Sequence, residues 1–142
     1  MKIDLKNKKA IVTGGGTGIG RFIVESLADA GARVAFTSRN NDSIKETLKN
    51  LQNKGHQKNH HKGYQIDLTK KGNVKKLHSK FKKDFGKADI LVNNIGHTLN
   101  KKDPFCKIGD WEEVMRLNFF TSVEMVNHFI GDMKKTNWGR II

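Results

Sequence analysis

The stretch TGGGTGIG, Thr13 to Gly20, lies directly between a strand-like run and a segment of helical period, and no other feature restricts the fold as tightly. Before it, KAIVTG (9–14) is short, apolar and β-branched, as a buried strand is. After it, Ile19, Phe22, Ile23, Leu27 and Ala30 recur at helical spacing, and Gly31 stands where a C-terminal cap belongs. Glycines here let the chain turn tightly and bring backbone N–H groups close to a phosphate, which then rests at the positive end of the helix. A P-loop needs Lys and Ser or Thr after its last glycine, but Arg21 and Phe22 follow Gly20. The Gly-x-Gly-x-x-Gly pattern begun at Gly14 and Gly16 ends on Ile19, so it does not fit either. The spacing is Gly14-x-x-x-Gly18-x-Gly20.

The rest of the chain repeats the alternation of strand and helix. Further strand-like runs are RVAFTS (33–38), GYQIDL (63–68), DILVNN (89–94) and the terminal GRII (139–142), and all but GYQIDL read as buried on both faces. A second helix is expected to open with Ser43 and Glu46 at capping-box spacing and to bury Ile44, Leu48 and Leu51. A third buries Val74, Leu77, Phe81 and Phe85 and stops at Gly86. A loop containing Pro104 leads to a fourth, starting near Asp110. Five strands alternating with four helices specify an α/β fold with a doubly wound parallel sheet, in one domain over residues 1–142.

The fourth helix is apolar on more than one side. Trp111, Val114, Met115, Asn118, Ser122, Met125, Val126 and Phe129 form one stripe, and Leu117, Phe119, Phe120, Val123 and Ile130 fill much of the remainder. One side can face the sheet; the other needs a further part of the chain or a second subunit. Asn118 inside the stripe requires hydrogen-bond partners.

A net charge of +13 raises the question of a nucleic-acid partner. The charge is nearly all lysine, however, and Lys70, Lys71, Lys75, Lys76, Lys80, Lys82, Lys83 and Lys87 belong to the solvated face of the third helix. No basic segment is interleaved with exposed aromatics, so no nucleic-acid partner is expected. The amino terminus lacks a signal-peptide core and no run reaches the ~18 apolar residues that span a membrane, so the expectation is a cytoplasmic protein without a membrane partner. Cys106 is the only cysteine, which rules out an intramolecular disulfide and a cysteine metal cage. His56, His60 and His61 cluster, but among Lys, Asn, Gln and Gly rather than carboxylates, and no metal site is expected.

The turn resembles that of the short-chain dehydrogenase/reductase family, whose Thr-Gly-x-x-x-Gly-x-Gly matches Thr13, Gly14, Gly18 and Gly20. Three further motifs follow in the family's order. Asp67 and Leu68 close the third strand, where the family's Asp contacts the adenine end of the cofactor. NNIG, Asn93 to Gly96, is similar to the family's Asn-Asn-Ala-Gly, with Ile95 in place of Ala. Asn118 aligns with the Asn that, in the family, shapes a helix irregularity and holds a water of the proton relay. The resemblance implies a Rossmann-type sheet of order 3-2-1-4-5, and cofactor contacts from Gly14, Gly16, Thr17, Gly18, Ile19, Gly20, Asn94 and Gly96. It also implies a small carbonyl or alcohol substrate, similar to that of 3-oxoacyl-carrier-protein reductases, and a full-length homo-oligomer formed through the fourth helix.

The second strand ends at Ser38, eighteen positions after Gly20, near the offset where an NAD site carries a carboxylate for the adenosine 2′-OH. Here Ser38 is followed by Arg39. A hydroxyl and a guanidinium can hydrogen-bond a 2′-phosphate that a carboxylate would repel, so NADP(H) is expected over NAD(H).

In the family a Tyr is the general acid/base and a Lys four residues later lowers its pKa, since a phenol of pKa about 10 needs a neighbouring cation to work near neutrality. The one tyrosine, Tyr64, is followed four residues later by Leu68. GRII is similar to the opening of the family's fifth strand, after which the family's Ser comes. The chain is therefore expected to be the incomplete, N-terminal part of such an enzyme, destabilised at its fifth strand and inactive alone. The alternative is a truncated nucleotide-binding or non-functional product.

Overall fold

A computed structural model describes residues 3–101 and 103–142. Met1 and Lys2, part of the segment weighed as a leader, and Lys102 lie outside the described residues. Five parallel strands, β1 (Lys9–Val12), β2 (Arg33–Ser38), β3 (Lys62–Gln65), β4 (Ile90–Val92) and β5 (Arg140–Ile141), form one sheet in the order β3-β2-β1-β4-β5. The helices are α1 (Gly18–Asp29), α2 (Asn41–Asn53), α3 (Asn73–Phe85), α4 (Ile108–Met115) and α5 (Thr121–Lys135), with a π turn at Arg116–Phe120 joining the last two.

Side chains alternate across each central strand, and both faces are covered. Ala10 and Val12 of β1, Val34 and Phe36 of β2 and Ile90 and Val92 of β4 pack with Val24 and Ala28 of α1 and Ile44 and Leu51 of α2. The intervening Ile11, Ala35 and Leu91 face Leu77, Phe81 and Phe85 of α3 and Met125, Phe129 and Met133 of α5. The chain winds to one side of β1 through β2 and β3, then to the other through β4 and β5. The carboxyl ends of β1 and β4 therefore meet at the switch point where such sheets hold ligands.

Several local expectations are corrected. In α1, Ile19 and Phe22 are 76% and 70% exposed, while Gly20, Val24, Glu25 and Ala28 are buried. The reason is close approach: a Cβ on Gly20 would lie 2.1 Å from the Gly14 carbonyl oxygen, so small residues must face the turn. The second helix begins earlier than the capping-box reading places it. Asn40 is the N-cap, its Oδ1 accepting from Asp42 N (2.7 Å) and Ser43 N (3.2 Å), and Glu46 pairs with Arg21 at 2.8 Å instead. β5 is exposed rather than buried on both faces.

The apolar stripe of the fourth helix is interrupted. The residues that reach the core are Leu117, Thr121, Met125, Phe129 and Met133, whereas Trp111, Met115 and Asn118 are exposed. The π turn causes this shift of face by adding a residue to one turn. The Thr121 backbone N–H bonds to Arg116 O, five residues back, and Thr121 Oγ1 donates to the same oxygen at 2.8 Å. Asn118 Nδ2 donates to Val114 O at 2.8 Å, occupying a carbonyl of the preceding turn.

Candidate cofactor-binding site

The glycine turn is tied to β4 by two side chains. Thr13 Oγ1 accepts from Asn94 N (2.9 Å) and Ile95 N (3.1 Å), and Asn94 Nδ2 donates to Thr13 O (3.1 Å) and Gly14 O (3.3 Å). On the other side Thr37 Oγ1 accepts from Gly14 N at 3.1 Å, and Thr37 O from Gly15 N at 2.9 Å. The turn is thus stapled to both neighbouring strands before any ligand arrives. Gly14 and Gly18 have φ of +70° and +53°, a left-handed backbone that side chains disfavour.

α1 starts within this stretch, at Gly18, with Thr17 as its N-cap, and no side chain caps it. Its first N–H groups are therefore open to an anion, and no acidic residue occupies the first turn. A Cβ at Gly18 would meet nothing within 4 Å, whereas one at Gly16 would lie 2.5 Å from Ser43 Oγ and 2.8 Å from Ser38 Oγ. The open side of the turn is shaped and polarised for a phosphate group, so the residues present fit a dinucleotide cofactor.

A cleft of about 370 Å³ runs from this turn across the carboxyl ends of the strands. Gly14, Gly16, Thr17, Ile19 and Gly20 line its phosphate end, Ser38 and Arg39 the end of β2, Asp67 and Leu68 the segment after β3, and Asn94 and Gly96 the segment after β4. Ile95 of the NNIG motif lines it too, and sequence reasoning missed Thr37, Ile66, His97 and Leu117. Each of the first three of these adjoins a motif residue, and strand-end geometry places such neighbours together; Leu117 gave no local signal, because only the π turn directs it inward. Gly18, expected at the cofactor, and Asn118, expected in the proton relay, are not among the lining residues.

Asn118 braces the wall instead. Its Oδ1 accepts from His97 N at 3.0 Å and its Nδ2 donates to His97 O at 2.9 Å, so one carboxamide holds both backbone groups of a lining residue. Burial opposes the charge on Asp67, but hydrogen bonds from Thr69 and the Arg39 charge together hold its carboxyl below the usual range.

The other titratable groups are engaged elsewhere. Tyr64 is buried on β3, its hydroxyl donating to Asp84 Oδ2 at 2.7 Å, and burial followed by this bond pushes its pKa up. His61 is also buried. Its Nδ1 accepts from Val34 N at 3.1 Å, and desolvation, then the neighbouring His60, His56 and Arg33, push its pKa down to about 4. His56 lies 3.0 Å from Asp29, and Cys106 is partly buried in the loop before α4. No helix among the described residues is long and apolar enough to cross a membrane.

A parallel sheet with a glycine-rich turn, an uncapped helix N-terminus and a cleft at the switch point defines the Rossmann-type fold. The family model for short chain dehydrogenase matches residues 8–142, and the chain belongs to that family. It is 34% identical over 142 residues to 3-oxoacyl-[acyl-carrier-protein] reductase of Aquifex aeolicus, covering 100% of this chain and 56% of that protein. Identity to the reductase of the same name from Haemophilus influenzae is 33% over 138 residues, covering 97% and 54%. The solved structure of 7 alpha-hydroxysteroid dehydrogenase complexed with NADH and 7-oxo glycochenodeoxycholic acid superposes with a TM-score of 0.89 at 30% identity, covering 99% of this chain and 53% of that one. The chain thus spans about half the length of the relatives it matches.

Proposed function

We propose that this chain is the cofactor-binding part of an NADP(H)-dependent oxidoreductase. The complete enzyme would transfer hydride between the nicotinamide and a small carbonyl or alcohol substrate, similar to a 3-oxoacyl-carrier-protein reductase. Arg39 carries the cofactor choice. It stands directly after β2 on the border of the cleft, with a serine rather than a carboxylate beside it. A guanidinium can take a 2′-phosphate in paired, charge-assisted hydrogen bonds, whereas NAD(H) offers it only a hydroxyl. One similar structure is a complex with NADH, so the NADP(H) reading rests on this chain's own Ser38 and Arg39.

The bound cofactor would supply hydride; the chain's residues would hold it. The turn from Gly14 to Gly20 would receive the pyrophosphate, Asp67 and Leu68 the adenine, and Asn94 and Gly96 the segment near the nicotinamide. Asn118 would brace His97 and take part in the proton relay. These 142 residues contain no Tyr-x-x-x-Lys, so the chain by itself is proposed to bind cofactor without turning over substrate. The exposed Trp111, Met115, Phe119 and Val123 favour a homo-oligomeric contact through this helix in the full-length protein.

The test is to measure NADPH and NADH affinity for the wild-type chain and for Arg39→Ala. The wild type is expected to prefer NADPH by about tenfold or more, and the substitution to remove most of that preference. An unchanged preference in the variant would sink the role of Arg39. Failure of the wild type to bind either nucleotide would favour the second reading, a non-functional product.

A further inference from the structure

Arg39 also borders a second recess of about 500 Å³, at the outer edge of β3, where Lys76 and Lys80 of α3 face Gln65, Ile66, Asp67 and Asn73. The two lysines are four residues apart, on one side of the helix. Among the described residues, neither lysine nor Arg39 has a carboxylate within ion-pair distance. The one carboxylate lining this recess, Asp67, turns an oxygen back into its own loop, with Oδ1 accepting from Thr69 Oγ1 (2.6 Å) and Thr69 N (3.0 Å). Three cations therefore border one recess that shares Arg39 with the cofactor cleft, against the single carboxylate of Asp67.

The recess on the α2 side of Arg39 is different. Ser38 Oγ and Ser43 Oγ bond each other at 2.9 Å, Asn40 Oδ1 is taken by the helix N-terminus, and Asp42 adds a carboxylate. That side offers largely committed polar groups and a carboxylate that Lys45 pairs at 3.5 Å, whereas, among the described residues, α3 adds two unpaired lysines to the recess at Arg39.

We infer that Lys76 and Lys80 guide the 2′-phosphate of NADP(H) to Arg39, and so help determine cofactor specificity through their charge rather than by contact. This deepens the NADP(H) reading and rests on it. A 2′-phosphate adds charge that NADH lacks, so the field from α3 speeds its arrival more than that of NADH, and salt screens the effect. The same lysines appear in the sequence only as part of a solvated helix face; their relation to Arg39 requires the β3–α3 packing.

Stopped-flow association of NADPH and NADH with the 142-residue chain, at low and high ionic strength, tests this. The double variant Lys76→Gln/Lys80→Gln is compared with Lys134→Gln/Lys135→Gln, which removes equal charge from the last turn of α5. In the α3 pair, NADPH association at low salt should slow about fivefold, NADH association about twofold or less, and the NADPH effect should shrink below about twofold in 0.5 M salt. The α5 pair should change NADPH association by less than about twofold. Equal slowing in both pairs, or equal slowing of both nucleotides, would overturn the guidance role while leaving NADP(H) binding intact. Absence of NADPH binding to the wild type would overturn both readings.

Discussion

The sheet with its glycine turn and the helix pair α4–α5 are both rich in apolar residues, yet they are built to different completeness. In β1, β2 and β4 the central residues are buried and covered on both faces, and the loops above them are cross-tied through Thr13, Thr37 and Asn94. In α4 no residue is buried, and from Ile108, Trp111 and Met115 of α4 through Phe119 and Phe120 of the π turn to Val123 of α5 large apolar side chains remain exposed. The first region's ties are its own except at the cleft wall, where Asn118 of the π turn braces His97. The second presents one face to the core and an apolar face to solvent.

The sharpest way to break this comparison is to truncate one phenylalanine in each environment. Phe129 is fully buried between α3 and the sheet, with its ring 5.5 Å from that of Phe81, and Phe129→Ala should cost about 3–5 kcal/mol in denaturant unfolding. Phe119 is 52% exposed, and Phe119→Ala should stay within about 0.5 kcal/mol. Comparable losses would mean that the outer face of the helix is already covered.

A smaller effect separates the two regions by pH. His61, buried beside β2, has a folded pKa of about 4 against an ordinary 6.5, so the folded chain binds fewer protons than the unfolded chain between those values. Stability should therefore fall as pH drops from about 6.5 towards 4, by about 2–3 kcal/mol in total from this group. Protonation would place a donor against the Val34 N–H, which now donates to Nδ1. The groups around it are His56, His60, Arg33 and Asp29. Thermal melts across this range should show the slope in wild type and a flatter one in His61→Gln; identical slopes would contradict it.

Much of the first region was legible in the sequence because its constraints are local. The five strand runs, a glycine turn at the strand-helix junction and Val74, Leu77, Phe81 and Phe85 at helical spacing are found as expected, but β3 stops at Gln65 and β4 at Val92, so Asp67, Leu68, Asn93 and Asn94 lie in the segments after the strands they were expected to close. Asn118 stood out as a polar residue in an apolar stripe, and it lies in the π turn bonded to His97. What periodicity missed depended on approach and register. Ile19 and Phe22 obeyed the helical period but lost the inward face to Gly20, because the turn requires contact closer than a side chain allows. The π turn shifted the inward face onto Leu117 and Thr121, which no constant period of 3.6 residues predicts.

The central claim is that the cleft region is assembled in this chain and selects a 2′-phosphate. Calorimetric titration of 2′,5′-ADP and 5′-AMP into the 142-residue chain at 0.15 M salt tests it most directly, because neither ligand needs the nicotinamide side of the site. The account predicts one saturable site that binds 2′,5′-ADP about tenfold or more tightly than 5′-AMP. Equal affinities, or no binding of either, would contradict it.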